Sequence, residues 1–105
     1  MKTVAELPAG VEFRPLPGLP RYVVSACGLI FSRDAHGHGW RPVRGSGSGR
    51  VVILTDPDGK RVASTVGMVV ASVWVGPRPP DTFVKFRDGN RSNLRAGNLY
   101  WAPPR

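Results

Sequence analysis

The chain reads as an α+β protein: a small antiparallel, β-rich N-terminal half, then one helix, then a hairpin with a short helix in it. Three observations predict this. Short runs rich in Val, Ile, Tyr and Phe are separated by Gly- and Pro-containing breaks, the pattern of strands joined by tight turns. Val66, Val69, Val70, Val73 and Trp74 recur at i, i+3, i+4, i+7 and i+8, one face of a helix. Asp56-Pro57-Asp58-Gly59 and Asp88-Gly89-Asn90 each stand between strand-like runs and carry hairpin-turn chemistry.

Residues 1–12 form a polar, Pro-containing arm, expected to be loosely held. Residues 15–20, with three prolines, cannot be helical and read as an extended turn. Residues 21–25 and 28–32 have strand composition, with a tight turn over 25–27. A polar Gly/His loop follows over 34–40, then a short strand over 41–44 and a Gly/Ser hairpin tip over 45–49. Residues 50–55 are the plainest strand, and 60–63 return antiparallel after the Asp56 turn. In residues 64–76 the valines favour a strand while their spacing favours a helix. Ser64 or Thr65 would cap it and Gly76-Pro77 would stop it, so we read a buried helix. A strand over 82–86, a turn at 87–90, a short helix over 92–97 and a last strand at 99–101 complete the chain.

At 105 residues the chain is one small domain. Its 15 Lys+Arg and 7 Asp+Glu give a net charge of +8. That excess points to a polyanion, nucleic acid before a membrane surface; the plainer alternative is a basic surface that only confers solubility. The charge is no tail: residues 1–50 carry 7 basic and 3 acidic groups, residues 51–105 carry 8 and 4. Arg outnumbers Lys by 12 to 3, which favours forked contacts to phosphates and bases. No apolar run nears the roughly 20 residues of a membrane-spanning helix, and residues 1–4 lack signal-peptide character. A single cysteine, Cys27, excludes an internal disulfide and a multi-Cys zinc site. These features suit a reducing cytoplasm.

Two segments carry a family resemblance. Phe13-Arg14-Pro15-Leu16-Pro17-Gly18-Leu19-Pro20-Arg21-Tyr22-Val23-Val24-Ser25-Ala26-Cys27-Gly28-Leu29-Ile30-Phe31-Ser32 resembles the NUMOD4 module found in HNH homing endonucleases of phages and mobile elements. Val69-Val70-Ala71-Ser72-Val73-Trp74-Val75-Gly76 and Asp88-Gly89-Asn90-Arg91-Ser92-Asn93-Leu94-Arg95-Ala96-Gly97-Asn98-Leu99-Tyr100-Trp101 resemble the HNH module itself. The resemblance implies a NUMOD4-like β-rich module over 13–64 and an HNH-like module over 65–103, with a ββα hairpin-helix, acting as one compact unit behind the arm.

The chemistry residues are where the resemblance breaks. The family's strand before Asp-Gly-Asn carries an acid or Asn and then a His, which activates water beside a divalent metal; here those places hold Lys85 and Phe86. The family's His at the start of the preceding helix falls at Gly67. Phe86 accepts no proton, and Lys85 repels a cation. Asn93 and Asn98 remain, but Asn is a poor cation ligand without a carboxylate beside it, and reads better as scaffold. Asp88 reads as a turn cap rather than a ligand. His36 and His38 form an H-x-H pair beside Asp34, yet a Gly-rich loop with no fourth donor reads as exposed loop rather than metal site. We therefore read a degenerate HNH-like protein with no catalytic residue, no metal and no cofactor.

DNA is the expected partner. In active relatives, the resemblance implies, the hairpin enters the minor groove and basic residues hold phosphates. The candidates here are Arg78, Lys85, Arg87, Arg91 and Arg95. Lys85 and Arg87 share a strand face, and Arg91 and Arg95 share a helix face if that helix forms. Arg41, Arg44 and Arg50 flank the Gly/Ser tip and form either a backbone-tracking basic hairpin or a solubilised loop. The leading reading is a non-cleaving phage or mobile-element regulator or accessory factor. One alternative is an effector that binds a host transcription or replication protein, favoured if Trp40, Phe86 and Tyr100 make one surface patch. Another is a residual metal-dependent nicking enzyme.

Overall fold

A computed structural model describes residues 6–33, 39–47 and 50–103. The Asp34–His38 region, including the H-x-H pair, and residues 1–5 of the arm lie outside the described residues. The N-terminal half is a four-stranded antiparallel sheet in the order β1-β2-β3-β4: β1 (Phe13–Leu16), β2 (Leu19–Ser25), β3 (Ile30–Arg33) and β4 (Trp40–Val43). Pro15 and Pro42 sit on β1 and β4, the two outer strands. A proline breaks fewest ladder bonds at such an edge.

The turn between β2 and β3 is held from inside. Ser25 is fully buried, and its Oγ accepts the Leu29 N–H at 2.9 Å. Gly28 has φ +99, and a Cβ there would meet Leu94 Cβ at 3.3 Å. Glycine satisfies both the backbone and the close approach.

Two hairpins complete the sheet structure. In the first, β5 (Val51–Thr55) pairs in register with β6 (Arg61–Thr65). Asp56 Oδ1 accepts the N–H groups of Asp58 and Lys60, fixing the expected turn. Val52 and Leu54 point inward, while Val51 and Ile53 face out. In the second, β7 (Phe83–Phe86) pairs with β8 (Leu99–Ala102).

The helix α1 (Val66–Trp74) packs against β1 and β2 of the first sheet and against strands of both hairpins. Its spacing outweighs the strand preference of its valines because Val66, Val69 and Val70 all reach the core on one face. Thr65 caps it: its Oγ1 accepts the Met68 N–H at 3.2 Å. Two indoles lock it in place. Trp74 Nε1 donates to Val24 O at 3.0 Å, and Trp101 Nε1 donates to Gly76 O at 3.0 Å. Tyr22 OH accepts the Thr55 N–H at 2.8 Å and ties the first hairpin to the sheet.

One expected element is absent. The short helix over 92–97 does not form, so Arg91 and Arg95 share no helix face. Asn90 Oδ1 accepts the Ser92 N–H and Asn90 O accepts the Asn93 N–H, making a tight turn instead. The chain then runs extended through Arg95, because Ala96 N–H bonds Ala26 O at 2.7 Å, a partner seventy residues away. The helical piece shrinks to a three-residue 3-10 turn, Ala96–Asn98, inside the hairpin loop. Among the described residues α1, which precedes the second hairpin, is the one α-helix.

Candidate nucleic-acid interface

The start of α1, the strand β7 and the turn after it enclose a cleft of about 280 Å³. Arg50, Lys85 and Arg91 line it together with Thr65, Gly67, Val84, Phe86 and Leu94. Three positions where the resemblance puts catalytic groups, Gly67, Lys85 and Phe86, are thus brought together.

Val84, Phe86 and Leu94 make an apolar wall beside Gly67, and Lys85, on the alternate face of β7, stands at its margin. A Cβ on Gly67 would stand 3.5 Å from Phe86 Cζ, 3.6 Å from Val84 Cγ1 and 3.7 Å from Leu94 Cδ2. Those are ordinary contacts, so a methyl fits. A Gly67→Ala variant is expected to gain about 0.5–1 kcal/mol, since helix glycines carry extra chain entropy when unfolded. Urea unfolding checks this; a loss of stability would mean Phe86 cannot accommodate the methyl.

Beyond the cleft, Asp88 anchors the β7–β8 turn. Its Oδ1 accepts the Asn90 N–H at 2.8 Å and Asn98 Nδ2 at 3.0 Å, and its Oδ2 accepts Asn93 Nδ2 at 2.9 Å. Asn98 Oδ1 accepts the Asp88 N–H, and Asn98 Nδ2 also donates to Asn93 O. Both asparagines therefore serve as scaffold of the loop. The bond from Asn93, then those from Asn90 and Asn98, hold the Asp88 carboxyl below its usual range. A carboxyl lowered in the folded state stabilises the fold fully above its unfolded value of about 3.9, and that contribution fades as pH falls through the lower folded value. Asp88→Asn is accordingly expected to flatten the loss of stability below about pH 4. Superimposable acid limbs for variant and parent in urea titrations at stepped pH would contradict it.

The residues do not fit a divalent metal. Asp88 has both oxygens engaged by amides, its neighbours are asparagines, and Lys85 brings a positive charge. Among the described residues no three of His, Cys, Asp and Glu group as metal donors.

The other basic candidates are dispersed. Arg44 lines a second cleft of about 350 Å³, which shares Arg50 and Leu94 with the first. Arg41 is exposed on β4. Arg87 lies over the Tyr100 ring at 5.2 Å on the outward side of the second hairpin. Arg95 is exposed at the entry to the 3-10 turn. Arg78 is engaged within the fold: its Nε donates to Thr82 O at 2.7 Å, and its guanidinium lies over Phe83 and Trp101. Grouping Arg50 with Lys85 and Arg91, rather than with Arg41 and Arg44 alone, is something the chain order does not suggest. The aromatic candidates separate likewise. Phe86 packs against the core, while Trp40 lies beside Arg33 and Tyr100 beside Arg87.

No helix among the described residues is long and apolar enough to cross a membrane. No family model matches the chain. It is 30% identical over 91 residues to an uncharacterized HNH endonuclease, L247, of Acanthamoeba polyphaga mimivirus, covering 86% of this chain and 22% of that protein. Among solved structures it matches the HNH homing endonuclease I-HmuI, described for DNA binding and cleavage, with a TM-score of 0.69 at 23% identity. That match covers 88% of this chain and 52% of the endonuclease, so the chain spans about a fifth of one relative and half of the other. The chain is therefore similar in sequence to a viral HNH endonuclease, and its small antiparallel α+β fold is that of an HNH endonuclease.

Proposed function

We propose that this chain binds DNA without cleaving it, as a regulator or accessory factor of a phage or mobile element acting in the host cytoplasm. The observation that carries the reading is the cleft. Where the HNH resemblance expects a water-activating base and a metal ligand, Phe86 and Lys85 stand, with Arg50 and Arg91 beside them. A hydrocarbon wall cannot take a proton from water, and three cations repel a metal while attracting phosphate. In this reading the NUMOD4-like residues 13–64 and the HNH-like residues 65–103 form one binding unit, residues 1–12 an arm, and Arg41, Arg44, Arg87 and Arg95 flanking contacts.

The effector alternative would gain weight from Trp40, Phe86 and Tyr100 as a joint surface patch, and Phe86 is packed against the core instead. The test is duplex binding across salt, beside plasmid nicking with Mg²⁺ or Mn²⁺. Engaging about four phosphates would lower affinity about 100-fold between 50 and 200 mM salt. Nicks that vanish in Asn93→Ala would overturn the non-cleaving reading. Salt-insensitive or absent DNA binding would overturn the DNA reading.

A further inference from the structure

We propose that the open edge of β6 accepts an extended segment of a partner protein, one that carries a carboxylate opposite Arg61 and apolar side chains opposite Val62 and Ser64. The inference is independent of the DNA reading and concerns a surface on the other side of α1 from the cleft.

The ladder leaves that edge unpaired. Val51 N–H donates to Ser46 O at 2.9 Å and Thr55 N–H donates to Tyr22 OH at 2.8 Å, so both turn away from β6. Antiparallel pairs alternate, so Val52 and Leu54 exchange bonds with Ser64 and Val62, while Arg61, Ala63 and Thr65 direct N–H and C=O to the far side. Asp56, out of phase with Thr55 by one residue, accordingly donates its N–H to Lys60 O at 2.8 Å. Among the described residues no backbone group pairs with Arg61 or Ala63 on that far side, and Arg61, Val62 and Ala63 are exposed. Other edges are guarded: Pro15 and Pro42 stand on the outer strands of the first sheet, and Ser46 and Tyr22 occupy the outer side of β5.

Apolar surface runs beneath the same edge. Leu54 and Val62 stand opposite each other on the inner face of the hairpin, yet Leu54 is 2% exposed and Val62 44%. The cover over that face therefore ends between β5 and β6. Val62 and Ser64 line a groove of about 520 Å³ together with Leu19 of β2 and Val69, Ser72 and Val73 of α1. At 100° per residue those three helix positions lie about 140–240° around α1 from Gly67, so the groove and the cleft occupy opposite sides. A strand added at β6 continues the alternation. Its residues opposite Val62 and Ser64 fall on the groove side, where apolar side chains are favoured.

Charge selects the occupant. A residue directly opposite Arg61 shares its outer face with Cβ atoms about 5 Å apart, and a carboxylate there makes a favourable cross-strand pair. Among the described residues Arg61 has no such partner, and Lys60 adds an exposed cation at the same end of the strand. A second copy does not meet this need. β6 holds no acidic residue, antiparallel pairing centred on Ala63 sets Arg61 against Thr65, and two chains of net charge +8 repel. A phosphate backbone offers acceptors alone, which leaves the outward carbonyls of β6 without donors.

The probes are two end-blocked, fluorescein-labelled peptides: Thr-Leu-Thr-Val-Glu-Thr for an antiparallel strand, and its reversed sequence for a parallel one. Binding is read by anisotropy and by hydrogen exchange of the Ala63 amide. One orientation is expected to bind saturably and to slow that exchange. Replacing its Glu by Lys should weaken binding about tenfold, as a favourable cross-strand pair becomes a repulsive one. In Arg61→Glu the preference should invert, with the Lys peptide the tighter. Ala63→Pro removes an outward N–H and no bond to β5, so it should abolish binding while Tm stays nearly level. Arg61→Glu, on an exposed side chain, decides the case whatever Ala63→Pro does to the fold. Failure of both peptides to bind, or binding that ignores the charge and survives Ala63→Pro, overturns the inference. Concentration-dependent dimers that protect Ala63 without peptide overturn it in favour of a second copy. Displacement of the peptide from Ala63 by duplex DNA assigns the edge to DNA and overturns it as well. Duplex binding and its salt dependence are read separately, so either reading can fail alone.

Discussion

Lys85→Glu is expected to weaken duplex binding about 30- to 100-fold at low salt, because it removes one attraction and adds a repulsion of similar size, each about 1–1.5 kcal/mol. Lys85 lines the cleft with Arg50 and Arg91. Its neighbour across the ladder is Tyr100, over whose ring Arg87 lies, so Lys85→Gln is measured beside Lys85→Glu to separate loss of the cation from a new pair with Arg87. The control is Lys60→Glu, an equal change of net charge at an exposed site near the tip of the first hairpin. That control should cost only a few-fold, since it acts through long-range potential that salt screens. Binding isotherms of the two variants at one ionic strength decide the matter. Equal losses would mean that DNA senses total charge rather than the cleft.

Leu99→Ala is expected to cost about 2–5 kcal/mol, the range for truncating a fully buried leucine. Leu99 is 2% exposed and opens β8, directly opposite Phe86. In a domain of this size that loss corresponds to a fall in Tm of about 10–30 °C. Leu29→Ala, on a leucine 41% exposed, should stay well under that cost. Calorimetry of both variants separates core from surface; comparable shifts would place Leu99 outside the core. Because Leu99 supports Phe86 across the ladder, its loss also loosens the apolar wall of the cleft.

Local chemistry made most of the architecture readable. The Asp56 turn, the Thr65 cap and the 3.6-residue spacing of valines each act within a few residues, and each element they predict is present. The missing helix over 92–97 shows the opposite case. Nothing near Ala96 in the chain reveals that its N–H will bond Ala26 O, yet that bond holds the segment extended. The candidate site divides the same way. Motif spacing singles out Lys85, Phe86 and Gly67, and all three line the cleft. Arg50 could not be joined to them from the chain alone. Its place depends on a left-handed residue beside Gly45 and on the start of α1, which sits sixteen residues later. In the sequence Arg78 is indistinguishable from its basic neighbours; in the fold the Thr82 carbonyl and two aromatic rings engage it.

The contact of Gly67 with Phe86, Val84 and Leu94 also shapes which amino-acid changes are open to this chain. A side chain longer than a methyl at position 67 must displace one of the three or project into the cleft. Shortening Phe86 alone leaves a void against the core. The two positions are thus epistatic. Replacing Phe86 alone by a shorter, proton-accepting side chain passes through a less stable protein, whereas an exchange that also fills the space from position 67 need not. The apolar wall thus constrains which sequences this cleft can reach by single substitutions, as well as forming a surface.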